Sequence, residues 1–144
     1  MSRIMLMCAL LLTTGAWADE RPIGYIKNVT GEASVTTGDK KIKAEVGTTI
    51  YQGSKLQTGA KSSMGVTFKD ETMMSFGPHT EFTVDEYAYA PAQNKLKLGS
   101  RMFKGSMNYV SGVIAKLAPD AVTVNTPSGT IGVRGTQFAV KVEE

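Results

Sequence analysis

Side chains able to do chemistry are few in this chain. His79 is the only histidine and sits in the turn "GPHT", with Glu81 and Asp85 following on one face of the next alternating run. A general base must be oriented by a partner and placed within reach of the proton it takes. An exposed turn histidine beside two strand carboxylates marks out neither condition. No Gly-x-Ser-x-Gly elbow occurs, the one cysteine, Cys8, lies in an apolar leader, and no acidic pair stands out for glycoside cleavage. These residues imply a protein that is not an enzyme. A second group, "VDEYAYAP", brings Asp85, Glu86, Tyr87 and Tyr89 close together in sequence, and oxygen donors suit hard cations. Tyr87 and Tyr89 are two apart and share a strand face, so aromatic packing with wet hydroxyls explains them without a metal. No metal and no cofactor is implied, and both tyrosines are kept as interaction candidates.

The third group is "TPSGTIGVRGTQF", residues 126–138, in which Gly129, Gly132 and Gly135 recur at every third position around a single Arg134. A phosphate loop would end in Gly-Lys-Ser/Thr and lead into a helix, whereas "TQFAVKV" alternates like a strand. Three glycine triplets without a proline-rich run cannot build a collagen triple helix. The spacing fits backbone punctuation: Thr126-Pro127 opens an extended segment, and the glycines allow positive φ or close backbone approach. Arg134 presents a planar fork of donors, suited to bridging backbone carbonyls or a carboxylate between two layers. Gly132, Arg134, Gly135 and Thr136 are therefore structural or interaction candidates.

The elements that must position these groups have a period of two. Met64, Val66 and Phe68 alternate with Gly65 and Thr67, Phe82 and Val84 with Glu81, Thr83 and Asp85, and the same pattern returns at Leu96 and Leu98, Val122 and Val124, and Phe138, Val140 and Val142. Glycine, proline and Asp-Glu turn signals separate these runs at short intervals. The pattern predicts an all-β fold of many short strands in a sandwich, barrel or solenoid-like arrangement, without room for βαβ crossovers. At most one short helix is expected, near residues 111–116 and ended before Pro119. Gly105 and Gly112 speak against a longer one across residues 101–117.

The chain begins with Arg3, an apolar run "IMLMCALLL" and Ala16-Trp17-Ala18, the layout of a secretory signal peptide and too short to span a bilayer. Residues 1–18 are expected to be a signal peptide and residues 19–144 a single β domain, periplasmic or secreted, with no transmembrane segment after cleavage. Removing the leader takes Arg3 from the 16 basic residues, leaving 15 against 13 acidic ones, a net charge of +2. That balance implies no nucleic-acid partner, because phosphate binding calls for clustered cations. The one dense group, "KKIK" at residues 40–43, reads as a solvated face or a charged sheet edge. No disulfide is available to the mature domain, so packing and strand ladders must hold it.

Residues 126–138 resemble the signature of the FecR domain family, the periplasmic domain of iron-dicitrate-type sigma-factor regulators, in which Thr-Pro-x-Ala-x-Ile/Val-Gly-Val-Arg-Gly-Thr lies near the domain's end. "GYIKNVTGEASV", "GTTIYQGSKLQTGAKSSMGVTFKD" and "LKLGSRMFKGSMNYVSGVIAK" follow the family's order, so the resemblance covers about residues 23–142. Four places depart from it. Gly53-Ser54 replaces Gly-Asp, Asp70-Glu71-Thr72 replaces Asp-Gly-Ser, His79 stands where Asn is usual, and Ser128-Gly129 where x-Ala is usual. Losing Gly after Asp70 removes the residue a tight type I′ hairpin favours. The resemblance implies a free-standing envelope domain without the sigma-binding segment, membrane helix and signalling domain of those regulators. Its expected role is a non-catalytic protein-interaction or signal-sensing module with an envelope protein partner. The alternative is a structural or surface-associated β domain that scaffolds an envelope assembly or binds cell-wall glycan. No oligomeric state is implied.

Overall fold

Alternation along the chain becomes alternation of burial in the computed structural model, which describes residues 21–132 and 135–143. The expected signal peptide, Val133 and Arg134 lie outside the described residues. The strands are β1 (Gly24–Thr30), β2 (Ala33–Thr37), β3 (Lys40–Lys43), β4 (Thr49–Ile50), β5 (Lys55–Thr58), β6 (Ser63–Phe68), β7 (Met73–Phe76), β8 (Glu81–Ala90), β9 (Lys95–Val110), β10 (Val122–Thr126), β11 (Gly129–Gly132) and β12 (Gln137–Val142). One short helix, α1 (Val113–Leu117), matches the expected position. The all-β expectation holds. Nine strands pair in the order β3-β2-β5-β8-β9-β7-β6-β1-β4, an open sheet curled into a half-barrel. The inward faces of β6, β7, β8 and β9 supply Phe68, Phe76, Phe82, Met102, Met107 and Tyr109, all almost completely buried. The Phe76 and Phe82 rings lie 4.9 Å apart. At the outer edge, all four residues of β3 are exposed and, among the described residues, pair only with β2, so "KKIK" is the charged sheet edge its composition suggested.

The long β9 holds the curl together. Its first part pairs with β8 from Lys95 to Lys104, and its second with β7 and β12 from Gly105 to Val110. At the changeover Gly105 takes φ +101, a conformation that side chains other than glycine's rarely adopt. A Cβ there would collide with Thr80, whose hydroxyl accepts a hydrogen bond from the Ser106 N–H at 3.1 Å and donates to the Gly77 carbonyl at 2.9 Å. The bend therefore has a partner in the residue that leads into the neighbouring strand β8.

One local expectation is corrected. The turn spacing left no room for a βαβ crossover, yet β10 runs parallel to β9, with Val122 opposite Leu98 and Asn125 opposite Arg101. The crossover is possible because β9 is long enough to leave one part of the sheet and let the chain return, through α1, beside its own beginning. At Asp70-Glu71-Thr72, where the missing glycine spoke against a tight type I′ turn, the structure has none. The hairpin forms without glycine as a three-residue loop: Glu71 N–H donates to the Phe68 carbonyl at 3.0 Å and Phe68 N–H to the Thr72 carbonyl at 2.8 Å. Such loops place their last residue in the left-handed region, and Glu71 sits there with φ +71. The strain is of order 1–2 kcal/mol for a non-glycine residue, partly offset by the entropy glycine would lose on folding. Glu71→Gly should accordingly raise stability by about 0.5–1 kcal/mol in urea unfolding, and a loss of stability would show that the Glu71 side chain has a compensating role.

Candidate functional site

The most constrained group in the molecule is a carboxyl that the sequence presented only as part of a turn. Asp70 is fully buried at the tip of the β6–β7 hairpin. Four donors converge on its two oxygens. Oδ1 accepts from the Tyr87 hydroxyl at 2.8 Å and from the Thr72 N–H at 3.4 Å; Oδ2 accepts from the Thr72 hydroxyl at 2.7 Å and from the Ile114 N–H at 3.1 Å. Its own N–H donates back to the Tyr87 hydroxyl at 3.0 Å, and its carbonyl accepts from the Val113 N–H at 2.7 Å. The helix α1 starts at Gly112 with no side-chain cap of its own. Helix N-termini leave donors unpaired, and Asp70 satisfies them from another part of the chain as an N-cap aspartate would locally. Gly112 is required by this approach, since a Cβ there would collide with the Thr72 nitrogen and the Asp70 carbonyl.

Tyr87 and Tyr89 occupy one face of β8, as their spacing predicts, but their surroundings differ. The Tyr87 ring stacks on Phe68 with centroids 5.6 Å apart, its hydroxyl engaged by Asp70 and its N–H donating to Gln52 Oε1 at 3.3 Å. Tyr89 is only partly buried. Together they line a cleft of about 290 Å³ with Arg21, Lys69, Gln52, Gln93 and Lys95. The other oxygen donors of "VDEYAYAP" do not join them. Asp85 takes the Arg101 Nε–H on both oxygens, at 2.8 and 3.0 Å, and Glu86 pairs with Lys97 at 3.5 Å. Among the described residues no three His, Cys, Asp or Glu side chains come together. His79 lies in its turn with φ +53 and donates its N–H to the Gly59 carbonyl at 3.1 Å. That backbone is one asparagine and histidine tolerate better than most residues, which accounts for His79 where the family favours Asn.

The glycine segment attaches to the same polar centre from the far side. Ser111, next to Gly112, donates its hydroxyl to the Gly135 carbonyl at 2.8 Å and its N–H to the Thr136 carbonyl at 2.8 Å. Gly129 and Gly135 take positive φ, at +144 and +97, as the punctuation reading requires. Gly132 does not: its φ is not positive, and nothing among the described residues comes within 4 Å of where its Cβ would be. Arg134 lies outside the described residues. The structure thus connects Tyr87, through Asp70 and α1, to Gly135 and Thr136, a connection spanning 44 residues between Asp70 and Ile114 alone. Asp70 and Ser111 were not singled out by the sequence. An Asp-Glu turn between two apolar runs was the available signal.

A family model described as FecR protein matches residues 54–144. The chain belongs to the FecR family, a regulatory and non-catalytic one. Neither the comparison with curated proteins nor that with solved structures gave a match. The matched residues include β6 to β12, and therefore Asp70, Tyr87, Ser111 and the glycine segment.

Burial pushes the Tyr87 hydroxyl well above its ordinary value of 10.0, and the neighbouring Asp70 charge and hydrogen bond push it the same way. Burial also pushes Tyr109 up to about 12; the Thr72 and Ser111 hydroxyls nearby oppose that shift but complete no hydrogen bond of good geometry with it. Both phenols hold their protons in the folded chain at pH values where the unfolded chain has lost them. Their contribution is complete below about pH 10 and falls as pH rises toward 12 and beyond, by about 1.4 kcal/mol per pH unit for each tyrosine. Tyr87→Phe should cost about 1–2 kcal/mol at pH 7, by leaving Asp70 one donor short, and should flatten the alkaline decline between pH 10 and 12. Urea unfolding at four pH values measures both effects, and an unchanged slope would show that Tyr87 is not held neutral by the fold.

Proposed function

We propose that this FecR-family domain is a non-catalytic module of the cell envelope that passes a signal by binding an extended segment of another envelope protein along its glycine-bearing C-terminal strands. Gly132 carries the reading. Glycine lowers strand stability unless a backbone needs its conformation or its missing side chain, and the fold described here uses neither at Gly132. A partner backbone approaching β11 would use the missing side chain. Among the described residues, β11 pairs only with β10 and β12 only with β9, so each presents one open edge. Between them runs a groove of about 700 Å³ bordered by Thr126, Pro127, Ile131, Val140 and Val142. An extended peptide added to such an edge gains main-chain hydrogen bonds, with side-chain pockets supplying selectivity. The envelope setting rests on the leader-like residues 1–18 and on family membership. No helix among the described residues is long and apolar enough to cross a membrane.

Gly132→Val keeps a strand-compatible residue at an open position, so its thermal stability should stay within about 0.5 kcal/mol of the parent. In crosslinking of envelope extract followed by mass spectrometry, the parent should yield one reproducible partner that the variant loses. Equal capture by both would remove Gly132 from the interface and with it the observation that carries this reading, and sedimentation of both with peptidoglycan, with no protein captured, would favour a scaffolding or glycan-binding domain.

A further inference from the structure

We propose that the cleft over Tyr87 is a binding site for a small soluble polyanion carrying two or more carboxylate or phosphate groups. The first observation is the charge of its lining. Arg21, Lys69 and Lys95 border it, and no acidic residue among those described does, in a chain whose 13 acidic residues nearly balance 16 basic ones. The contrast with the rest of β8 and β9 is sharper still. Lys55 pairs with Glu81, Lys97 with Glu86 and Arg101 with Asp85, whereas among the described residues Lys69 and Lys95 have no ion pair. Both are exposed and reach the cleft from different elements, Lys69 just beyond β6 and Lys95 at the start of β9. Lys69 and Lys95, two like charges bordering one cleft, repel one another, and an anion between them relieves that repulsion.

The remaining lining supplies neutral donors and a rigid floor. Gln52 accepts the Tyr87 N–H through Oε1, which turns its amide nitrogen into a donor for something else, and Gln93 offers a second amide. Tyr87 cannot swing away, because Phe68 stacks on its ring and Asp70 holds its hydroxyl. The charge of Asp70 lies behind this floor and is already met by four donors. A site whose floor is held before the ligand arrives loses little affinity to ordering. Its size selects as well. A volume of about 290 Å³ lies at the small end of ligand pockets, which run from about 300 to 1,000 Å³, and suits a small ligand. Among the described residues three cations and no carboxylate line the cleft, which favours an oxyanion over a metal cation, since hard cations take oxygen ligands that carry charge.

Isothermal titration of the purified protein with pyrophosphate and, separately, with propane-1,2,3-tricarboxylate tests the site, with acetate at matched ionic strength as the singly charged control. At least one polyanion should bind with 1:1 stoichiometry and at least about tenfold more tightly than acetate. Lys69→Gln and Lys95→Gln should each weaken it about tenfold or more, while Lys116→Gln, on α1 and outside the cleft, should leave it unchanged. All three replace exposed side chains, and matching thermal melts verify their folding. No binding of either polyanion, or equal losses in all three variants, would overturn the proposal. Vesicles containing phosphatidylglycerol distinguish the other source of phosphate: co-sedimentation with them in the absence of soluble-polyanion binding would assign the cations to a lipid surface and likewise overturn it.

Discussion

A single buried carboxyl makes three stretches of chain, distant in sequence, mutually dependent. Asp70 belongs to the β6–β7 hairpin, Tyr87 to β8, and Val113 and Ile114 to the first turn of α1, and the hydrogen bonds between them leave no described oxygen of that side chain without a donor. Withdrawing one side-chain donor would leave a buried carboxylate one partner short, which costs about 1–3 kcal/mol. The five-residue helix gains most from the arrangement. It is far below the length at which a helix holds itself together in water, and it lacks a cap of its own. It persists because Asp70 meets its first amides, Val113 through the backbone carbonyl and Ile114 through the carboxylate, and because Ile114 is fully buried.

The same centre explains how the two surfaces of functional interest are kept in place. Tyr87 forms the floor of the basic cleft on one side. On the other, Ser111 holds the backbone at Gly135 and Thr136, just before β12. The continuous β9 joins the strands around both, and its bend at Gly105, filled by Thr80, determines how far the sheet curls. Both proposed contact surfaces are thereby held by one stiff frame. Interior packing through aromatic rings and four buried methionines, Met64, Met74, Met102 and Met107, provides one without a disulfide. Methionine fills irregular gaps where sheets curve.

Much of this was legible in the residues, and what was not has a common cause. Alternation at Met64, Val66 and Phe68 and at Phe82 and Val84 announces strands because the period of a strand is local, and Gly112 and Pro119 bracket the short helix for the same reason. The glycine segment announced both its family and its punctuation, with positive φ at Gly129 and Gly135. Tyr87 and Tyr89 were placed on one face, but not the engagement of Tyr87 with Asp70, which depends on a contact across 17 residues. Likewise, nothing near Lys69 or Lys95 in sequence says that they border one cleft, nor anything near Leu98 that it will lie beside Val122 in parallel. The turn at Glu71 shows the reverse: a local preference for glycine, overridden because the surrounding hydrogen bonds hold the residue at φ +71.

Native-state hydrogen exchange at Val113 and Ile114 tests the linkage through Asp70 most directly. In an ordinary short helix the first-turn amides have no partner and exchange almost as fast as in an unfolded peptide. Here both donate to Asp70, at 2.7 and 3.1 Å, so both should exchange only through global opening, with a free energy equal to that of urea unfolding. Exchange at those two amides through a local opening of near-zero free energy, while β6 and β8 remain protected, would contradict it.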